Sequence, residues 1–212
     1  LSRLKIDCLD IYCLHRDNKD IPAGEFIDAL DELKNEGLIK ILGASNWSLL
    51  RFKEAINYAE KNNKTSFEVL SNNFSLADMV EPVWPGCESS SDENFREFLK
   101  KKNISLFPWS SQSRGFFLES ASKESYHSAD PNFEEQKRVW HSKENLMKRE
   151  RCFEMAKNKG FMPIEIALAY VLHQDFPVFP LIGPRNFSEA QSSANALKVK
   201  LTKEEINWLD LT

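Results

Sequence analysis

Apolar residues in this chain come in short runs, separated by stretches whose apolar positions recur at helical spacing. Leu9-Asp10-Ile11-Tyr12-Cys13-Leu14-His15 is largely aliphatic and aromatic and turns abruptly polar at Arg16-Asp17-Asn18, which predicts a buried strand with His15 at its carboxyl end. After Ile21-Pro22-Ala23-Gly24, residues 24–37 carry Phe26, Ile27, Leu30 and Leu33 on one helical face, with Gly37 as the stop. Residues 38–44 predict a second strand that runs out in Ser45-Asn46-Trp47. A helix over 48–62 and a third strand over 67–73 follow. Residues 92–102 predict the next helix, and Ile104-Ser105-Leu106-Phe107-Pro108-Trp109 a fourth strand.

The rhythm then breaks. Residues 110–140 are rich in Ser, acidic and aromatic residues without clear periodicity, which predicts a long excursion before a helix at 143–159. Pro163 opens a further helix, Val178–Gly183 predicts a fifth strand, and a helix over 187–196 follows. Thr202 caps the last helix, with Glu205 completing a capping box.

Strands joined by helical crossovers imply a parallel sheet, whose ligands gather at the carboxyl ends of the strands. No Gly-x-Gly-x-x-Gly follows any strand, which argues against a Rossmann dinucleotide site. A barrel of eight units takes about 250 residues, and the 212 here supply about five. The same pattern also suits an open, flavodoxin-like sheet.

Composition narrows the function more than the fold. A net charge of −4 gives no footprint for nucleic acid or an anionic membrane surface. Lys100-Lys101-Lys102 ends a predicted helix, where it complements the dipole. Cys8, Cys13, Cys87 and Cys152 have no metal-ligand spacing, and they read as reduced thiols of a cytoplasmic protein with no metal. No apolar run approaches the ~20 residues of a membrane span.

Taken together, the strand ends carry a resemblance. Leu9–Arg16, Ile41-Leu42-Gly43-Ala44-Ser45-Asn46-Trp47, Phe74-Ser75-Leu76, Phe107-Pro108-Trp109-Ser110 and Leu181-Ile182-Gly183-Pro184-Arg185 resemble the aldo/keto reductase family, in order and at similar spacing. Trp109-Ser110 is closer to the shaker-β and general bacterial type than to the aldose-reductase branch. The resemblance covers nearly the whole chain. It implies an α/β fold, a TIM (β/α)8 barrel made incomplete by the absence of its first three strands, with residues 1–212 as one amino-terminally truncated reductase domain. It also implies an NADPH-dependent reductase of small-molecule aldehydes or ketones.

Carried over by position, His15 resembles the catalytic histidine, whose ring N–H orients the substrate carbonyl. Ser45 and Asn46 resemble the pair that binds the nicotinamide carboxamide, although alone they would read as a helix cap. Ser71 stands where many relatives have a glutamine. Trp109 resembles the aromatic under the nicotinamide ring, and Ser110, Gln112, Ser113 and Gly115 the loop over the pyrophosphate. Gly183 and Arg185 resemble the start of the segment that receives the adenosine 2′-phosphate, which a guanidinium fits well. Glu189 and Ser193, with Ser192, fall at the adenine positions, where many relatives carry Gln, Glu and Asn.

The family's acid tyrosine and its supporting aspartate and lysine match no position here, so the resemblance implies a chain inactive by itself. Tyr12, Tyr58, Tyr126 and Tyr170 fit no such motif. The alternative is a non-catalytic relative serving in binding or assembly, and unpaired sheet edges would favour self-association.

Overall fold

The computed structural model describes residues 1–121 and 131–212. Four parallel strands, β1 (Leu9–Leu14), β2 (Ile39–Ser45), β3 (Phe67–Ser71) and β4 (Ser105–Leu106), lie side by side in chain order. Helices α1 (Ala23–Asn35), α2 (Leu49–Lys61) and α3 (Glu93–Lys102) connect them. Beyond β4 come α4 (Pro131–Trp140), α5 (Lys143–Lys159), α6 (Pro163–Leu172), α7 (Phe187–Asn195) and α8 (Lys203–Asp210).

The helices begin where short polar side chains take up their free N–H groups. Ser48, Asp92, Ser142 and Asn186 each accept from the backbone three residues on. Thr202 and Glu205 form the expected reciprocal box, with Glu205 N donating to Thr202 Oγ1 at 3.2 Å and Thr202 N to Glu205 Oε2 at 2.9 Å. One face of each crossover helix then covers the sheet: Ile27 and Leu30 of α1, Phe52 and Ile56 of α2, Phe95 and Leu99 of α3. α1 and α2 lie so close that a Cβ on Gly24 would stand 2.6 Å from the Tyr58 ring. α6 is buried along Glu165–Val171, as a helix apolar on every face but for its capping Glu165 must be.

Four expectations are corrected. The incomplete (β/α)8 barrel of about five units is not the architecture observed, because the described residues form an open four-stranded sheet. The fifth strand expected at 178–183 is an irregular segment beside β4. It contributes a single bridge, Leu106 to Val178, and backbone bonds from Leu106 N to Pro177 O, Phe179 N to Leu106 O and Leu181 N to Pro108 O. Prolines at 177 and 180 interrupt the pattern of donors that a regular ladder needs.

β1 is also not buried. It pairs only with β2, and Asp10, Ile11 and Tyr12 face solvent. An all-apolar run reads as two-sided burial, but β1 sits at the sheet's edge. Finally, the excursion at 110–140 holds structure: 3-10 turns at Ser113–Gly115 and Glu119–Ala121, then α4. Among the described side chains of α4, Val139 and Trp140 at its end reach the core. Tyr126 lies outside the described residues.

Away from the sheet, a charged cluster joins the later helices. Lys148 Nζ of α5, nearly fully buried, donates to Asp78 Oδ2 at 2.8 Å and Asp210 Oδ1 at 2.7 Å. Arg96 Nη1 donates to Asp210 Oδ2 at 3.1 Å and to the Tyr170 hydroxyl at 3.4 Å. Burial holds the Tyr170 phenol well above its ordinary range.

Candidate active site

Because all four strands are parallel, their carboxyl ends form one rim, and the segments that resemble a site begin there. The polar residues at these ends lock neighbouring strands together. Ser45 Oγ donates to Ser71 O at 2.7 Å, and Ser71 Oγ to Phe107 O at 2.9 Å. Asn73 Nδ2 donates to Trp109 O at 3.1 Å, while Asn46 N reaches Ser71 O and Trp109 N reaches Asn72 O, both at 3.3 Å. Side chains thus extend the ladder beyond the regular strands. At Asn46 the chain turns through φ +58°, a conformation Asn tolerates.

Residues 84–90 cross this rim as a strap. Cys87 Sγ accepts from Arg16 Nη2 at 3.6 Å, Glu88 N donates to Asn46 Oδ1 at 3.3 Å, and Glu88 O accepts from Asn73 N at 2.9 Å. The Trp84 ring lies 6.5 Å from that of Trp109, tilted by 36°. Arg114 lies over Trp84 at 5.3 Å and is held by Glu135 at 3.0 Å. Below His15, Arg51 grips Asp17 through Nε at 3.0 Å and Nη2 at 3.1 Å, and this pairing raises its pKa. That fork fixes the loop carrying His15, itself exposed one residue past β1.

The residues singled out in the sequence fall into three groups. Ser45, Asn46 and Ser71 meet at the rim, and Trp109 joins it through backbone bonds with Asn72 and Asn73. Ser110, Gln112, Ser113 and Gly115 follow in a loop with φ +51° at Ser110, +49° at Ser113 and +90° at Gly115. Ser113 is buried and its Oγ donates to Ser75 Oγ at 3.0 Å. Gly183 and Arg185 are exposed, while Glu189 and Ser193 sit on α7, where Ser193 Oγ donates to Glu189 O at 3.0 Å. Leu181 ties this last group to the loop, since its carbonyl accepts from Ser111 Oγ at 3.1 Å. His15 makes no hydrogen bond to these groups among the described residues.

Sequence reasoning missed the strap, the Trp84–Arg114 stack and the Arg51–Asp17 fork. Each joins residues 15 or more positions apart, beyond the reach of local sequence pattern.

The donor set suits a nicotinamide dinucleotide. Ser45 Oγ is committed on both sides, since it also accepts from Asn46 Nδ2 at 2.9 Å. Asn46 keeps its second amide hydrogen and Ser71 Oγ keeps its acceptor capacity. Asn73 Oδ1 and Trp109 Nε1 are buried without a partner among the described residues. These groups can bind a carboxamide, the indole can carry a flat ring, and Arg185 can meet a phosphate.

The family model for the aldo/keto reductase family matches residues 1–211. A probable aldo-keto reductase 1 of Glycine max is 26% identical over 215 residues, covering 97% of this chain and 55% of its own length. The crystal structure of a thermostable aldo-keto reductase in complex with the inhibitor epalrestat matches at a TM-score of 0.70 and 22% identity. That match covers 99% of this chain and 62% of the solved one, so the fold is shared across the described residues. The chain spans about half the length of the curated relative.

Proposed function

The chain belongs to the aldo/keto reductase family, a family of oxidoreductases, and from that membership we propose that it forms a nicotinamide-dependent carbonyl reductase domain over residues 1–212. The observation that carries this reading is the rim, where Ser45, Asn46 and Ser71 are joined by hydrogen bonds at the strand ends and Trp109 is tied to the same edge through its backbone. The reduced nicotinamide supplies a hydride when bound. Asn46 and Ser71 bind its carboxamide and Trp109 carries the ring, which fixes the face presented to substrate. Ser45 holds Asn46 in place.

His15, exposed at the tip of β1, directs a ring N–H at the aldehyde or ketone oxygen and orients it. The loop of Ser110, Gln112, Ser113 and Gly115 borders the pyrophosphate, and Gly183, Arg185, Glu189 and Ser193 the adenosine end. The resemblance implies NADPH, with Arg185 on the 2′-phosphate.

A second reading, a binding or assembly role without catalysis, is favoured by the bonds Ser45, Asn46 and Ser71 already spend on the rim. Fluorescence titration with reduced dinucleotide, alongside cofactor oxidation with an aldehyde, tests both. Binding that is lost in Trp109→Ala supports the cofactor site. If wild type binds no dinucleotide at all, the reductase reading fails. Turnover that survives His15→Ala unchanged would remove His15 from the chemistry.

A further inference from the structure

Arg185 and Glu189 stand one helical turn apart at the start of α7, and Glu189 engages Arg185 through both carboxylate oxygens. Oε1 accepts from Arg185 Nε at 3.1 Å and Nη2 at 2.9 Å, while Oε2 accepts from the Arg185 backbone N at 2.7 Å. Asn186 Nδ2 adds a bond to Oε1 at 3.3 Å, and Asn186 Oδ1 accepts from Glu189 N at 3.0 Å. The carboxylate is therefore fixed in position rather than swinging in solvent. The Arg185 backbone and side-chain bonds hold it below the usual carboxylate range, so it is charged at neutral pH.

Those two guanidinium atoms are the fork with which an arginine grips a phosphate. A 2′-phosphate can use that edge only by displacing the carboxylate, and at the remaining Nη1–Nη2 edge it still stands near Glu189 as a like charge. An unphosphorylated ribose meets no such conflict, because its 2′-hydroxyl can donate to a carboxylate, as acidic residues do at other dinucleotide sites. The Arg185 side chain is 82% exposed, so the pair contributes little to folding and substitution here leaves the fold intact.

We infer that Glu189 sets the cofactor choice of this chain by occupying Arg185, so that NADH is bound at least as tightly as NADPH. The inference rests on the reductase reading above and refines which dinucleotide it takes. It differs from an arginine left open to phosphate, where NADPH would be strongly preferred.

The test is a titration of the whole chain with NADPH and NADH, followed by nicotinamide fluorescence and by calorimetry, for wild type, Glu189→Gln and Arg185→Ala/Glu189→Gln. Glutamine still accepts from Arg185 N, so the start of α7 is preserved, and circular dichroism verifies this. Glu189→Gln should tighten NADPH by about tenfold, the scale of removing one like charge beside an anion, and should not tighten NADH, whose 2′-hydroxyl loses a charged acceptor. The double variant should lose that gain. An equal change for both dinucleotides, no change for either, or a wild-type preference for NADPH overturns the inference while the reductase reading stands. Absence of binding by either dinucleotide overturns both.

Discussion

Asn72 closes a two-way bridge with Trp47: its Oδ1 accepts from Trp47 N at 3.2 Å and its Nδ2 donates to Trp47 O at 2.8 Å. Both residues are fully buried. One side chain thus stands in for a strand partner at the point where the chain leaves β2, immediately after Ser45 and Asn46. Asn72→Ala would strand a buried N–H and a buried C=O, each at about 1–3 kcal/mol. A loss of about 2–4 kcal/mol in denaturant unfolding is expected. A change below about 1 kcal/mol would show that the backbone finds other partners.

The cluster around Lys148 makes an asymmetric prediction. Asp210 is shared by Lys148 and Arg96, so Asp210→Ala leaves Arg96 without a carboxylate and Lys148 with only half-exposed Asp78. Removing one partner of a buried charge cluster costs about 3–5 kcal/mol. Lys148→Met should cost less, because Asp210 keeps Arg96 and the methionine refills the volume. Equal losses in urea unfolding would refute the shared role of Asp210.

Gly43 faces Cys13 across β1 and β2. A Cβ built there would collide with Cys13 Sγ and lie 3.3 Å from Val69 Cβ. Gly43→Ala should therefore destabilise by about 1–3 kcal/mol, the range of overpacking. Adding Cys13→Ala removes the colliding sulfur and should recover most of that loss in thermal melts. If the double variant is no more stable than Gly43→Ala alone, Val69 and the bulge between Leu42 and Gly43 set the constraint instead.

Local pattern carried the elements well and their closure poorly. The helix start at Thr202 was legible because a cap is a contact between neighbours in sequence; Ser48, Asp92 and Ser142 cap in the same way. The burial of β1 and the state of 178–183 were not, because each depends on what lies beside a strand. At the rim, Ser45, Asn46, Ser71 and Trp109 were singled out only by the family resemblance, since alone Ser45 and Asn46 read as a helix cap. Their mutual bonds, and the strap from Trp84 to Ser90 across them, join distant segments and became visible only in three dimensions. Arg185 was legible as a cation, but its partner Glu189 was read as an adenine contact, since spacing alone does not say which way a carboxylate turns.

Glu88, on the strap, gives the site a pH signature. Burial raises its carboxyl pKa above the ordinary 4.5, Asp17 pushes in the same direction, and Lys19 opposes them. Between 4.5 and the folded-state value, the native chain holds a proton that the unfolded chain has released. Stability therefore falls as pH rises through this window, and above it the charged, half-buried carboxylate imposes a constant penalty. Glu88→Gln removes the ionisation but keeps the backbone bonds to Asn46 and Asn73. It should raise stability at pH 7, by less than about 1 kcal/mol given the group's exposure. The gain should fade as pH falls toward 4.5. Urea midpoints measured from pH 4 to pH 8 would check this. A gain that is independent of pH would mean that Glu88 acts through packing rather than charge.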